Sequence, residues 1–158
     1  MSDSLIIIPT FNEKENIEKI IRKVFSLEKL FHILIVDDGS PDGTATIVKK
    51  LQSQFPNQLH IQERAGKLGL GTAYIHGFKW ALQRDYQFIF EMDADFSHNP
   101  DDLIRLYNAN LLDGGELAIG SRYVKGVNIV NWPMSRLLMS FFASKYVKMI
   151  TGMPIHDS

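Results

Sequence analysis

The sequence predicts an α/β fold: a mostly parallel sheet flanked by helices, built from short strand–helix repeats with right-handed crossovers. Three observations predict it. Leu5-Ile6-Ile7-Ile8 and Ile33-Leu34-Ile35-Val36 are unbroken aliphatic runs, as strands covered on both faces are. Each is followed within a few residues by apolar positions at helical spacing. Polar clusters of Asp, Asn, Gly and Ser stand directly after the strands, and an open α/β sheet binds its ligands outside the carboxyl ends of its strands.

The first strand is read as residues 5–8, stopped by Pro9. Asn12 with Glu15 resembles a capping box, and Ile17, Ile20, Ile21, Val24 and Phe25 then trace an amphipathic helix to about Leu27. The second strand ends in Asp37-Asp38-Gly39-Ser40, and residues 41–43 turn the chain into a second helix with Ala45, Ile47, Val48 and Leu51 facing inward. Residues 59–62 read as a weaker strand nearer an edge. The link Gly66-Lys67-Leu68-Gly69-Leu70-Gly71 leads into a helix over residues 72–84. Its glycines have neither the dinucleotide-binding nor the P-loop order, which counts against both of those readings.

Phe88-Ile89-Phe90 is the next buried strand, and Asn99-Pro100 supplies an N-cap and first-turn proline for a helix over residues 100–111. After the turn at Asp113-Gly114-Gly115, residues 116–120 read as a fifth strand with Ser121-Arg122-Tyr123 just beyond it. Residues 133–150 form a last, largely apolar helix on which Arg136, Ser140, Ser144 and Lys148 recur every four residues. Such a helix suits a membrane interface, with Trp132 at its start, or a core position with one solvated seam.

The chain of 158 residues is read as one domain, residues 1–158, with a ligand-binding core over roughly 1–125 and an amphipathic helix over 129–150. Lys plus Arg number 17 against 18 Asp plus Glu, so no net field draws the chain to nucleic acid. The absence of Cys excludes disulfides and thiolate chemistry. No signal peptide or spanning segment is evident, which reads as cytoplasmic, with a peripheral position at the cytoplasmic membrane face suggested by the last helix.

Asp93 and Asp95 lie one residue apart at a strand's carboxyl end. Two hard carboxylates there suit Mg²⁺ or Mn²⁺ carrying a diphosphate; the alternative is a pair of turn formers. Asp37 and Asp38 have the same two readings. Lys67 reads as a phosphate contact or an exposed lysine, and Glu13 as a ligand contact or a favourable charge at a helix start. His98 reads as a turn residue; His32, His60 and His76 show no metal spacing.

In chain order, Pro9-Thr10-Phe11-Asn12-Glu13, Asp37-Asp38-Gly39-Ser40-Pro41-Asp42-Gly43-Thr44, Lys67-Leu68-Gly69-Leu70-Gly71-Thr72-Ala73, Asp93-Ala94-Asp95 and Gly120-Ser121-Arg122-Tyr123 resemble the inverting family 2 glycosyltransferases of the GT-A (Rossmann-like) fold. Within that family the Lys67 run and Asp93-Ala94-Asp95-Phe96-Ser97-His98-Asn99-Pro100 are similar to the dolichol-phosphate (polyprenol-phosphate) mannose synthase branch. The resemblance implies mannose transfer from GDP-mannose to a dolichyl or polyprenyl phosphate, with Mg²⁺ or Mn²⁺. It implies that Pro9, Phe11, Glu13, Val36 and Asp38 hold the nucleoside, Asp38 reading the base, and that Asp93, Ala94 and Asp95 meet the sugar diphosphate and metal. It also implies that Arg122, Arg136 and Ser140 contact the acceptor phosphate, with Asp93, Asp95 and Arg122 as the catalytic set.

Two departures stand out. The family more often has Tyr where Phe11 stands, and it continues past Ser158 with an Asp-x-Thr-x-Gly-Phe-like segment and a later donor-binding Lys, so the chain is read as C-terminally truncated. A lipid phosphate is already ionised near neutral pH, so this chemistry needs no strong general base. Arg122 and Arg136 would orient it by charge-assisted hydrogen bonds of about 1.5–3 kcal/mol each; an ordinary surface arginine is the other reading of Arg122. The competing functions are another family 2 transferase using a UDP-sugar or carbohydrate acceptor, and a non-catalytic nucleotide-sugar-binding module. A receiver-type signalling domain is disfavoured because residues 59–64 contain no Asp and residues 117–123 no Lys.

Overall fold

The structure, a computed structural model, describes residues 2–121 and 133–152, apart from the side chains of Asp113, Arg136 and Leu137. The chain divides into two compact units, Met1–Gly114 and Gly115–Ser158. In the first, β1 (Ser4–Thr10), α1 (Ile17–Phe25), β2 (His32–Asp37), α2 (Thr44–Gln52), β3 (Leu59–Glu63), α3 (Leu70–Ala81), β4 (Phe88–Glu91) and α4 (Asp102–Asp113) follow one another. The sheet order is β3-β2-β1-β4, and every pairing is parallel. The strand order therefore reverses at β1, and the crevice lies beyond the carboxyl ends of β1 and β4.

The aliphatic runs form strands because both of their faces are covered. Ile6, Ile8, Ile33 and Ile35 pack in one core cluster with Ile17, Ile20, Ile21 and Val24 of α1, Val48 and Leu51 of α2 and Leu103 of α4. Leu5, Ile7, Leu34 and Val36 face the other way, toward Ala73 and Ala81 of α3. All eight strand residues are 0% exposed, and each such side chain contributes about 1.5–3 kcal/mol of burial. Gly77 is what lets α3 sit this close: a Cβ there would lie 2.6 Å from Ile7 Cγ2.

Pro9 does not stop β1, which runs on to Thr10. The Met92 N–H donates to the Ile7 carbonyl and the Asp38 N–H to the Thr10 carbonyl, so odd residues of β1 face β4 and even ones face β2. β4 pairing ends at Ile7↔Glu91, so Pro9 lacks its N–H on the side β4 has already left.

Other boundaries move too. α1 begins at Ile17 and has no capping box: Asn12 has φ 62, and the Asn16 and Ile17 amides donate to the Glu13 carbonyl. α3 starts two residues before Thr72 and ends at Ala81, and α4 starts at Asp102. Residues 116–120 form no strand. Leu117 and Ile119 are exposed, and a short apolar run alone does not make a strand there.

The second unit contains α5 (Met134–Thr151), closed by Gly152 at φ 68, whose N–H donates to the Lys148 carbonyl. Lys145 Nζ sits 4.7 Å above the Phe141 ring, and Met139, Phe142, Tyr146 and Met149 are exposed, whereas Ser144 is buried. No helix among the described residues is long and apolar enough to cross a membrane.

Candidate functional site

A cleft of about 250 Å3 opens at the strand reversal. Pro9, Thr10, Phe11 and Glu13 supply its β1 wall, Asp38 stands beyond β2, Lys67, Gly69, Leu70 and Ala73 come from the glycine-rich loop and the start of α3, and Asp93, Ala94 and Asp95 stand beyond β4. Local chain geometry puts them there. Gly69, at φ 97 and ψ 148, takes a turn that only glycine adopts without strain and starts α3 at the cleft. Lys67 Nζ lies 4.9 Å from the centre of the Phe11 ring, across the mouth from β1.

Asp38 is the most tightly held of these residues. Arg64 Nε donates to its Oδ1 at 2.6 Å and an Arg64 terminal nitrogen to its Oδ2 at 2.8 Å, with side-chain exposures of only 7% and 8%. The other terminal nitrogen of Arg64 donates to Thr72 Oγ1 at 2.8 Å, so the guanidinium ties Asp38 to α3. Asp37 points elsewhere: its carboxylate accepts from Thr10 Oγ1, Ser40 N and Ser40 Oγ at 2.9, 2.9 and 2.7 Å. Of its two readings, the structural one describes these contacts.

At the other end, Asp93 Oδ1 accepts the Tyr74 hydroxyl at 3.2 Å, and the Asp93 N–H donates to His98 Nδ1 at 3.4 Å. Burial, and then the charge of Asp93, push the Tyr74 hydroxyl well above its usual range, so it remains a donor. Burial and the Asp93 charge likewise raise Glu91. Burial would also raise Asp95, but hydrogen bonds from Ser97 outweigh it and hold the carboxyl below the usual carboxylate range. The Ser97 N–H to Asp95 Oδ1 bond, at 2.9 Å, closes a turn that forces Phe96 to φ 61. Among the described residues no cluster of three His, Cys, Asp or Glu side chains gathers as a ready-made metal cage. Tyr74 donates to Asp93 Oδ1 and the Ser97 N–H to Asp95 Oδ1, so hydrogen bonds orient both carboxylates at the cleft. This donor set fits a hard ion that takes its other ligands from water and a diphosphate.

The structure thus brings Pro9, Phe11, Glu13, Asp38, Asp93, Ala94 and Asp95 to one cleft. Val36 does not line it; its side chain is fully buried on the α3 face of the sheet. Arg122 lies outside the described residues, as does the side chain of Arg136; Ser140 is half-buried on α5. Sequence reasoning passed over Arg64 and Tyr74. The cue for Arg64 was a cation directly after β3, and the cue for Tyr74 was its place one turn into the helix that the glycine loop starts.

The chain matches the model of Glycosyl transferase family 2 over residues 5–156 and belongs to that family. It is 47% identical over 154 residues to polyprenol monophosphomannose synthase of Mycolicibacterium smegmatis, covering 98% of this chain and 58% of that protein. It is 41% identical over 153 residues to undecaprenyl-phosphate mannosyltransferase of Micrococcus luteus, covering 97% and 62%. The chain therefore spans less than two thirds of the length of these curated relatives. Among solved structures, TarS of S. aureus shares the fold, with a TM-score of 0.63 and 22% identity over 85% of this chain and 24% of that one. The sheet and its helices are those of a GT-A glycosyltransferase.

Proposed function

We propose that this chain binds GDP-mannose and transfers its mannosyl group, with inversion, to a polyprenyl or dolichyl phosphate at a membrane surface. The observation that carries the reading is a single cleft with Phe11 and Asp38 at one end and Asp93-Ala94-Asp95 at the other, in a chain whose relatives bear mannosyltransferase names. Phe11 offers a face for the base, Asp38 an acceptor for its N–H edge, and Glu13 a partner for the ribose. Asp93 and Asp95 would hold Mg²⁺ or Mn²⁺, which when bound offsets the charge on the departing diphosphate. The acceptor phosphate oxygen bonds to the anomeric carbon from the side opposite GDP, whose bond to that carbon breaks. Arg122, Arg136 and Ser140 are assigned to that phosphate, and residues 1–158 to one catalytic domain. The exposed apolar residues of α5 support apposition to the cytoplasmic face of a membrane.

Calorimetric titration with GDP-mannose, GDP and UDP-glucose, each with and without Mn²⁺, tests the donor. Metal-dependent binding selective for the guanine nucleotides is the expected result. Preference for UDP-glucose, or binding without any transfer to polyprenyl phosphate by a chain extended to its relatives' length, would overturn it.

A further inference from the structure

The run from Asp37 to Thr44 carries four further polar side chains besides Asp38, yet of the whole run only Asp38 lines the cleft. Three of the others, Ser40, Asp42 and Thr44, turn back on the backbone that follows β1, while Asp37 holds Thr10 and Ser40. The Asn12 N–H donates to Ser40 Oγ, the Glu13 N–H to Thr44 Oγ1 and the Lys14 N–H to Asp42 Oδ2, each at 3.0 Å. Three successive amides between a strand and a helix are thus matched to two side chains of one loop and the first side chain of α2. Each acceptor is itself held. Asp42 Oδ1 takes both the Thr44 N–H at 3.0 Å and the Thr44 hydroxyl at 2.6 Å, so the Thr44 oxygen presents a lone pair to Glu13. Ser40 gives its hydroxyl proton to Asp37 at 2.7 Å and likewise presents a lone pair to Asn12. Thr44 is 0% exposed, so the oxygen that accepts from Glu13 is itself out of solvent. The left-handed Asn12, at φ 62, turns these amides out of the sheet and toward the clamp.

We propose that Ser40, Asp42 and Thr44 are positioning residues: they clamp the loop that carries Phe11 and Glu13, and so set how tightly the nucleoside end of the donor is held. The inference rests on the reading of this cleft as a nucleotide-sugar site. It separates a motif that looks like a ligand-binding run into one residue that meets the ligand and a frame that holds the opposite wall.

Thr44→Val keeps the shape and removes the oxygen, whereas Thr44→Ser keeps the oxygen. Calorimetry with GDP and Mn²⁺ should show affinity weakened about tenfold in Thr44→Val and close to wild type in Thr44→Ser. Amide hydrogen exchange of the ligand-free protein should show Glu13 exchanging faster in Thr44→Val while the amides of β1 keep their rates. Unchanged exchange at Glu13 would show that the clamp does not hold the loop. Faster exchange with unchanged GDP affinity would show that the loop's position does not govern binding. Wild-type protein that binds no nucleotide would sink the donor-site reading and the purpose given to the clamp, while the exchange arm would still decide whether the clamp operates. If Thr44→Val does not fold, Ser40→Ala with the Asn12 amide as reporter provides the same two readouts.

Discussion

Asp38 and Arg64 show how a residue legible in the sequence can depend on one that is not. The place of Asp38, Asp93 and Asp95 at the cleft was legible because each closely follows a strand read from its apolar run, whereas Asp37, in the same position, turns to Thr10 and Ser40. Arg64 was not, since its partner lies 26 positions away and only the β2–β3 pairing brings the two together. Arg64→Met would leave the Asp38 carboxylate without its guanidinium in a site of low exposure, at a cost of about 3–5 kcal/mol. The double variant with Asp38→Asn should recover much of that loss, and urea unfolding of the three variants checks it. At the end proposed to hold the metal, Asp95→Asn should abolish Mn²⁺-dependent donor binding by calorimetry; an unchanged affinity would remove Asp95 from the site. Tyr74 escaped notice for the same reason as Arg64: its bond to Asp93 exists only once α3 packs against the sheet beside β4.

For the elements, aliphatic runs located the strands well, because a strand covered on both faces must be apolar throughout. Helix starts were less legible. Asn12 and Glu15 have the spacing of a capping box, but the Asn12 amide is taken by Ser40, a contact supplied by another loop. The expected strand at residues 116–120 is not formed: a short apolar run describes one strand and not the neighbour it requires. α3 carries the clearest test of packing. Gly77→Ala would gain about 1 kcal/mol of helix propensity. It would also drive a methyl to 2.6 Å from Ile7 Cγ2, and overpacking of that kind costs about 1–3 kcal/mol. The net should be a loss of up to about 2 kcal/mol in denaturant unfolding; a more stable variant would show that α3 can lift off β1 freely.

Across the molecule, the two ends of the sheet do different work. Away from the cleft, His32 at the start of β2 bonds through Nδ1 to the Tyr86 hydroxyl at 2.8 Å, His60 lies 4.9 Å from the Trp80 ring, and Arg84 caps that ring at 3.5 Å. Burial lowers the pKa of both histidines, and the charges of His32 and Arg84 lower His60 further. The unfolded chain takes up these protons near pH 6.5 and the folded one resists, so their contribution to stability is full above about pH 6.5 and is lost as the pH falls through the lowered values. The melting temperature should therefore drop between pH 7.5 and 5.5, and His60→Gln should flatten that drop. No composition or motif announced this cluster, since its members come from three separate stretches of chain.

The strand reversal at β1 has a further consequence. Asp38 follows β2 and Asp93 follows β4, with β1 between them, so the two carboxylates are rooted about 10 Å apart by the spacing of neighbouring strands alone. The sheet is then a gauge of length. A molecule that touches both ends must carry a rigid spacer of about that reach between the group Asp38 meets and the group Asp93 meets. A ribose between a base and a diphosphate supplies one; a bare sugar phosphate does not, however well it suits the metal end.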